Sequence, residues 1–412
     1  MNKSWILFSL LNFLTAAIMG LILRGAFVWG ADWLDYRNMM HGHSHVAMLG
    51  WVYLALYILI GSQFIPAEQW KKPVYAWLFW LTQFTVVGMM ISFPLQGYGA
   101  VSITFSTLHI LESYVFVYLV WRDHRRTQPE LSLLIKTSLV LMVLSTVAIW
   151  SLGPLVIWGG TGSIWYQLAI QFFLHFQFYG WFTMAVLALL LEVVTRNSSL
   201  STATFKKFYC MLLLSVFLTY GLVLAWGFGG AIPLLVNGMG LLSQLIALGY
   251  FYKTILHSNP QFFQQLSPSI KVLYQFGMAS WIAKVTIQTI VIIPEAAVVS
   301  FTIRSLMIGF VHLTMLGFVS GLLFALILGA DKLVSDSSWA FAGRGAFIAG
   351  FVLTELLLFV QGLCYWFQWG QLPAFYELLF GASALLPLSI FLLLVSIAKY
   401  YKGELKNQLI TT

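Results

Sequence analysis

Hydrophobic runs of about 20 residues recur along the whole chain, separated by short segments that contain Pro, Gly or clustered charges. A run of this length suits an α-helix that crosses the hydrocarbon core of a bilayer. The pattern predicts twelve spans: 5–28, 41–63, 73–93, 102–121, 131–152, 164–193, 207–227, 231–252, 269–293, 303–329, 341–366 and 373–399. We therefore expect an all-α integral membrane protein with a single transmembrane domain, 1–412.

The composition agrees with a lipid environment. Hydrophobic residues make up 60% of the chain and charged residues only 8%, whereas about a quarter of the residues in a soluble domain are charged. The net charge of +8 would suit a nucleic-acid ligand, but the basic residues are scattered singly or in pairs through short loops. We therefore expect the lipid bilayer, and no nucleic acid, as the partner of this surface.

Lysine and arginine are distributed unevenly between the two sides of the predicted bundle. Only Arg24, Arg37 and Arg304 follow odd-numbered spans, whereas seventeen lie at the termini or follow even-numbered spans. The seventeen are Lys3, Lys71, Lys72, Arg122, Arg125, Arg126, Lys136, Arg196, Lys206, Lys207, Lys253, Lys271, Lys332, Arg344, Lys399, Lys402 and Lys406. Basic loops stay on the cytoplasmic side, so both termini are predicted to be cytoplasmic, with every even span running from outside to inside. The first run is predicted to be an uncleaved span, and a bacterial cytoplasmic (inner) membrane is the expected setting.

A short motif recurs three times, in spans 2, 6 and 10. The copies are His45–Trp51, His175–Trp181 and His312–Phe318, each with His, four residues, Gly and a large aromatic residue. They are spaced by 130 and 137 residues and have the same phase in three outside-to-inside spans. We therefore predict three four-helix pseudo-repeats, roughly 1–125, 126–260 and 261–412, around a pseudo-threefold axis.

Six of the eight histidines lie in apolar spans, and all of those spans are even-numbered. They are His41, His43, His45, His109, His175 and His312. Each falls in the first half of its span, which predicts one layer of histidines in the outer half of the bilayer. Ionisable side chains inside a membrane are costly and usually functional, and imidazole is a common ligand of haem iron and copper. The layer predicts that at least two of the six bind haem or a metal ion.

Helix geometry separates the histidines of span 2. At about 100° per residue, His43 and His45 point in nearly opposite directions, whereas His41 and His45 share a face. One helix can therefore present an imidazole to each of two cofactors. His45 and His312 occupy the same repeat position and are the natural axial pair of one b-type haem, and a second haem or a copper near His43, His109 and His175 stays open. The motif glycine would leave room for the macrocycle or serve close helix packing, and both interpretations stay open.

Other polar side chains inside or beside the spans are candidates for supporting roles. Glu112 lies three residues after His109 and could orient that imidazole, carry protons, or be a protonated buried carboxyl group. Tyr179, Lys284 and Glu355 are further candidates for a proton path, and a Lys284–Glu355 pair would lower the cost of burying both charges.

Two arginines lie just outside the predicted axial pair. Arg37 and Arg304 stand at the outer ends of spans 2 and 10. A guanidinium group binds a carboxylate in a bidentate way, so both suit haem propionates, and ordinary interfacial anchoring is the alternative.

At these residues the chain resembles the haem-copper oxidase superfamily. His43-Ser-His45-Val-Ala-Met-Leu-Gly50-Trp51 is similar to the His-x-His-x4-Gly-Trp segment of C-type cytochrome oxidase subunit I, where two histidines serve two haems. His175-x3-Tyr179 resembles the copper-ligating His of many oxidases and the Tyr one turn later. The His-x-His on span 2 with a lone His-x4-Gly on span 10 is closest to the NnrS family, whose members are haem- and copper-containing membrane proteins associated with nitric oxide metabolism. The resemblance implies haem b in a twelve-helix bundle of three arcs, with copper near His41, His43, His109 or His175.

Some features depart from this resemblance. Oxidases complete their copper site with adjacent histidines on helix 7, but residues 207–227 contain no His. Nitric oxide reductases add glutamates near the site, and no acidic residue adjoins His175. The chain would be a divergent member, and a complete dioxygen-reducing centre is not expected.

These observations predict a membrane haem protein, with or without copper, that transfers electrons or binds or reduces a small gas such as nitric oxide or dioxygen. An enzyme of this kind would be a haem-dependent oxidoreductase similar to a terminal oxidase or nitric oxide reductase. Quinol, a cytochrome or a partner subunit would supply electrons, since the chain has no dinucleotide fingerprint and no Cys-x-x-Cys-His segment. A transition-metal or proton-coupled transporter and a non-catalytic accessory subunit stay open as alternatives.

Overall fold

The structure, a computed structural model, describes residues 2–124, 128–330 and 337–410, with side chains as far as Tyr401. Every regular element in these residues is helical. Twelve long helices, α1 to α12, occupy this part of the chain: Lys3–Trp29, Tyr36–Phe64, Pro73–Gln96, Ala100–Asp123, Pro129–Gly159, Ile164–Val194, Thr202–Phe228, Ala231–Ser258, Pro268–Ile290, Arg304–Leu328, Ser338–Trp366 and Phe375–Ile410. Of the basic residues that predict orientation, Arg125, Arg126, Lys332 and the side chains of Lys402 and Lys406 lie outside the described residues.

The helices agree with the predicted spans. Eleven helices of the described chain are long and apolar enough to cross a membrane, and a twelfth span results if Pro268–Ile290 and Pro294–Thr302 are counted together. Each predicted apolar run lies on one of α1 to α12, and most helices continue beyond the run because polar residues near an interface also adopt helical structure. The prediction of an all-α, multi-pass membrane protein is confirmed. The cytoplasmic termini and the three pseudo-repeats stay predictions.

The ninth predicted run, 269–293, corresponds to α9 and ends directly before Pro294, and the structure adds a bent helix that the run does not include. α9 ends at Ile290, and the chain then bends by 115° into the short helix Pro294–Thr302. Pro294 lies in the first turn of that helix, where its missing N–H group leaves no intrahelical bond unmade. The bend therefore coincides with a residue that begins a helix well but cannot continue one.

The seventh helix is interrupted between Leu218 and Gly221. Tyr220 N–H donates to Phe217 O at 3.3 Å, which is the tighter i→i−3 pattern of a 3₁₀ turn. α8 approaches the chain closely at this point, because a Cβ atom on Gly221 would lie 2.6 Å from Pro233 O. The interruption changes which backbone carbonyls of α7 are free to accept bonds from other helices.

The chain divides into two compact units. Unit 1 comprises Met1–Arg125, Ser267–Phe276 and Leu323–Thr412, and unit 2 comprises Arg126–Leu266 and Gly277–Leu322. Unit 1 therefore contains α1 to α4, α11 and α12 with parts of α9 and α10, and unit 2 contains α5 to α8 with the remainder of α9 and α10. His41, His43, His45 and His109 belong to unit 1, whereas His175 and His312 belong to unit 2.

Aromatic stacking builds the core of each unit. In unit 1, Phe13 of α1 stacks on Trp51 of α2 with ring centroids 4.7 Å apart. In unit 2, Trp281 of α9 lies 5.6 Å from Phe318 of α10 and 5.0 Å from Phe251 of α8. Buried aromatic pairs contribute packing contacts beyond the area they bury, and they fix the rotation of each helix about its axis.

Candidate functional site

Within the described residues, three helices contain a π-helical segment, and each segment begins directly after a motif histidine. Val46–Tyr53, Phe176–Phe182 and Leu313–Ser320 follow His45, His175 and His312. π-helical turns are rare, and those that persist are frequently found at functional sites. The shared position indicates that the His-x4-Gly-aromatic motif specifies a backbone geometry as well as a side chain.

The π segments of α6 and α10 each end at a hydroxyl group that donates a hydrogen bond to a backbone carbonyl of the same segment. Thr183 and Ser320 each stand eight residues after their motif histidine. Thr183 donates to Phe178 O at 2.6 Å, and Ser320 donates to Met315 O at 2.7 Å. Both acceptors lie five residues earlier in the chain, as suits a π turn. The two hydroxyl groups therefore give a partner to buried backbone carbonyls at the end of each segment.

Two buried amides hold the π segment of α2 instead. Asn12 of α1 donates from Nδ2 to Gly50 O at 3.0 Å and to Gln83 Oε1 at 2.8 Å. Gln83 of α3 returns a bond from Nε2 to Asn12 Oδ1 at 3.0 Å. The exposed fractions of the Asn12 and Gln83 side chains are 2% and 7%, so water does not compete for these bonds. The pair ties α1 and α3 to α2 at the motif glycine.

The motif glycines of α2 and α6 serve close helix packing. A Cβ atom on Gly50 would lie 2.8 Å from Val86 Cγ1 and 3.0 Å from Asn12 Cβ. A Cβ atom on Gly180 would lie 2.9 Å from Leu141 Cβ. Neighbouring helices therefore fill the space beside both glycines. Of the two interpretations that the sequence leaves open, the structure supports packing at these two positions.

The three histidines of α2 point in the directions that their spacing predicts. His45 faces α3, where its ring lies 4.1 Å from the ring of Phe93, and His41 shares that side, 4.7 Å from the ring of Tyr98. His43 faces α1, where a Cβ atom on Gly20 would lie 2.9 Å from His43 Cε1. α2 thus presents imidazoles on two opposite sides.

Backbone carbonyls fix the tautomers of His43 and His45. Nδ1 of His43 lies 2.8 Å from Ala16 O, and Nδ1 of His45 lies 2.8 Å from His41 O. A carbonyl oxygen can only accept, so Nδ1 carries the proton in both rings and Nε2 carries the lone pair. Histidines that bind metals or haem iron usually hold their second nitrogen in this way. Both side chains are half-buried.

His109 and Glu112 lie on the side of α4 that faces α2 and α3. The His109 ring is 4.8 Å from the ring of Tyr53, and Nε2 of His109 is buried with no hydrogen-bond partner. Glu112 accepts a bond from Thr85 of α3 at 3.0 Å, while its other oxygen has no partner. The carboxylate is therefore oriented by a hydroxyl group of α3 and not by His109. The sequence does not reveal this contact, because Thr85 is an ordinary polar residue in an apolar run.

His175 is engaged through the opposite ring nitrogen. Its Nε2 lies 2.7 Å from Val216 O of α7 and donates to it. This carbonyl is available because α7 is interrupted, so that Tyr220 N–H turns to Phe217 O instead. His175 also stacks on Tyr179 with ring centroids 4.7 Å apart. The contact gives His175 a structural partner on a helix that carries no histidine.

Lys284 contacts Tyr179, a pairing that the sequence does not predict. Its Nζ lies 3.9 Å from the centroid of the Tyr179 ring, within the range of a cation–π contact. Lys284 is 1% exposed, and its Nζ has no hydrogen-bond partner in the described chain. Glu355, its predicted partner, lies in unit 1, where it interacts electrostatically with Arg24 of α1. The Lys284–Glu355 pair stays a prediction.

The two arginines of the predicted site lie in the first turns of their helices. Arg37 is the second residue of α2 and Arg304 the first residue of α10, and both side chains are exposed. Each stands eight residues before its motif histidine, whereas Gln167 occupies that position in the second copy. Asp35 caps α2 by accepting a bond from Asn38 N–H at 2.9 Å, which explains this carboxylate without an ion pair to Arg37.

No group of three or more His, Cys, Asp or Glu side chains is arranged to hold a metal ion within residues 2–124, 128–330 and 337–410. Of the predicted metal ligands, His41, His43 and His109 lie in unit 1 and His175 lies in unit 2. Within unit 1, the imidazoles of His41 and His43 lie on opposite sides of α2.

In comparisons with known proteins, the chain matches no protein-family model and no curated protein.

Proposed function

We propose that the chain is a membrane haem protein in which His45 and His312 are the axial ligands of a b-type haem. Its activity is electron transfer, or the binding or reduction of a small gas such as nitric oxide or dioxygen. The observation that carries the proposal is the hydrogen bonding of His43 and His45, which face α1 and α3 from opposite sides of α2. His43 and His45 both donate from Nδ1 to a backbone carbonyl, which leaves Nε2 as the ligand atom that haem iron takes.

The choice of His312 as the second ligand depends on matched positions in α2 and α10. His45 and His312 both precede a π-helical segment, and an arginine stands eight residues before each. The α6 copy has glutamine at the arginine position, and its His175 is bonded to α7 through Nε2. Two of the three copies thus share the features that a haem with propionates would need, and the third does not.

The residues of the chain would each support the bound haem in a distinct way. The carbonyls of His41 and Ala16 orient the imidazoles of His45 and His43 and increase the basicity of Nε2. Arg37 and Arg304 would neutralise propionates at the outer helix ends. The haem itself, when bound, supplies one-electron redox chemistry and gas ligation.

The number of histidines that bind each haem iron distinguishes electron transfer from gas binding. Two histidine ligands fill both axial positions of one haem, which suits electron transfer rather than gas binding. His43, on the other side of α2, is the candidate single ligand of a second haem that could bind a gas. Copper, which the resemblance also implies, would be bound near His41, His43, His109 or His175. We further propose that both termini are cytoplasmic, that the helices form three pseudo-repeats, and that the membrane is a bacterial inner membrane.

The test is a reduced-minus-oxidised absorption spectrum of the purified protein from haem-replete cells, with haem and metal analysis of the same sample. We expect a low-spin b-type spectrum that is lost in His45→Ala and in His312→Ala. His257→Ala is the matched control, because His257 is exposed at the end of α8 and outside the proposed site. Pure protein without haem, or an unchanged haem content in both ligand variants, would overturn the proposal.

A carbon monoxide difference spectrum then distinguishes the two activities. No spectral change would indicate electron transfer through a six-coordinate haem alone. A change that disappears in His43→Ala would indicate a second haem that is open to gas. Bound zinc or copper in a sample without haem would favour the transporter alternative.

A further inference from the structure

A shallow groove runs between α7 and α8 in unit 2. It has a volume of about 410 Å³ and is lined by Lys206, Lys207, Cys210, Met211, Ile246 and Tyr250. The two lysines lie near the start of α7, and Tyr250 lies near the end of α8, so these three residues form the charged end of the groove. Cys210, Met211 and Ile246 lie one helical turn further into the apolar part.

The charged end is organised by a specific contact. Nζ of Lys207 lies 5.4 Å from the centroid of the Tyr250 ring, which directs this ammonium group over α8. Lys206 is its exposed neighbour, and Lys253 lies exposed one turn beyond Tyr250. Two ammonium groups therefore line one end of the groove, a third lysine follows on the same helix as Tyr250, and no acidic residue is among the lining residues.

The apolar end continues as a track of exposed hydrophobic side chains. On α7 these are Leu214 and Phe217, and on α8 they are Leu242 and Met239. The ten residue steps from Lys207 to Phe217 span about 15 Å of helix. This length is close to half the thickness of a hydrocarbon core, which is about 30 Å. The track therefore matches one leaflet in depth, with the charges at its headgroup level.

We infer that this groove binds one anionic phospholipid, with its phosphate on Lys206 and Lys207 and an acyl chain along the track. A lipid with negative charge at one end and hydrocarbon at the other matches both ends of the groove. Basic pockets between membrane helices bind anionic headgroups in this way, and each nearby lysine strengthens binding roughly fivefold. A zwitterionic lipid would place its own cationic group against the lysines and gain less. The inference is independent of haem.

The experiment reconstitutes the full-length protein in nanodiscs of dioleoyl-phosphatidylcholine with or without dioleoyl-phosphatidylglycerol, and counts retained lipids by native mass spectrometry. We expect one retained phosphatidylglycerol, at roughly tenfold or greater preference over phosphatidylcholine. The double variant Lys206→Gln/Lys207→Gln should lose this preference. Lys71→Gln/Lys72→Gln is the matched control, because it removes the same charge from an adjacent exposed pair in unit 1 and should retain it.

Two further variants separate lipid binding from a general charge effect. Ile246→Trp fills the apolar part without changing charge and should also reduce retention of phosphatidylglycerol. The thiol of Cys210 is exposed, whereas that of Cys364 is buried, so maleimide labelling reports on the groove. Phosphatidylglycerol should slow this labelling in the native protein and not in Lys206→Gln/Lys207→Gln. Equal retention of the two lipids by the native protein, or equal loss in both lysine variants, would overturn the inference.

Discussion

The regions around His45 and His175 have the same motif and the same backbone form, but they present opposite ring nitrogens. Each histidine directly precedes a π-helical segment that contains the motif glycine. His45 is held through Nδ1 by a carbonyl of its own helix, whereas His175 is held through Nε2 by Val216 of the neighbouring helix α7. The motif therefore sets the backbone, and the adjacent helix decides which nitrogen is left for a ligand.

The difference originates in α7 and not in the motif. An uninterrupted α7 would use the Val216 carbonyl for its own i→i−4 bond, and His175 would have to share that acceptor. The interruption at Leu218–Gly221 frees that carbonyl, and a Nε2–H group satisfies it at 2.7 Å. His175, which resembles a copper ligand in sequence, therefore has a backbone partner on α7, and its role as a copper ligand stays a prediction.

The largest expected effect compares haem binding after the loss of each histidine. His45→Ala should remove the b-type spectrum, because no other side chain replaces an axial imidazole. His175→Ala should keep it and should instead lower stability by about 1–3 kcal/mol, since the Val216 carbonyl loses its buried partner. Haem content and thermal unfolding of both variants in detergent measure the two outcomes. Loss of haem in His175→Ala with His45→Ala unaffected would reverse the comparison.

The second effect concerns the amide pair that holds the α2 segment and has no counterpart at α6. Asn12→Leu removes the donor to Gly50 O and leaves Gln83 unpaired, so we expect a destabilisation of roughly 2–4 kcal/mol from two buried groups without partners. Asn12→Leu/Gln83→Leu should recover part of this loss, because the glutamine is removed as well. Equilibrium unfolding in mixed micelles gives the values. Additive losses in the double variant would show that the two amides are not coupled.

The sequence predicts the helices and the directions of the histidines because both follow from local rules. Run length locates α1 to α12, and 100° per residue places His43 and His45 on opposite sides of α2. The helix positions and the histidine directions both follow from the residue order within a single segment of the chain. The run 269–293 likewise ends directly before Pro294, but it does not predict the helix Pro294–Thr302 or its bend of 115°.

The π segments and the tautomers could not be predicted in this way. A π turn places one extra residue in a helix and leaves the apolar composition of the run unchanged, so a buried span gives no periodic signal for it. The Asn12–Gln83 pair joins residues 71 positions apart, and the Lys284–Tyr179 contact joins different helices. Such contacts depend on the rotation of each packed helix about its axis, and this rotation cannot be obtained from a single sequence.

A smaller effect tests the hydroxyl groups that close two of the three π segments. Thr183→Val and Ser320→Ala remove the donors to Phe178 O and Met315 O with little change in volume. We expect each to cost about 1 kcal/mol, the usual net value of one hydrogen bond. Tyr53→Phe at the corresponding position of α2 is the control, because the amide pair closes that segment instead. Equal shifts of the unfolding midpoint in all three variants would contradict the conclusion that a hydroxyl group stabilises the π segments of α6 and α10 but not that of α2.

The smallest effect concerns the arginines that distinguish the α2 and α10 copies from the α6 copy. A positive charge near a haem stabilises the reduced state, because reduction makes the haem more negative. Arg37→Gln and Arg304→Gln should therefore lower the midpoint potential, by about 20–60 mV for roughly 0.5–1.4 kcal/mol of lost interaction in a one-electron couple. Gln167→Glu adds a negative charge at the same position of the α6 copy and should leave the potential unchanged, since His175 is not proposed to bind haem. Redox titration in detergent gives all three values. A shift in Gln167→Glu as large as those of the arginine variants would place the α6 copy beside the haem and remove the distinction between the two regions.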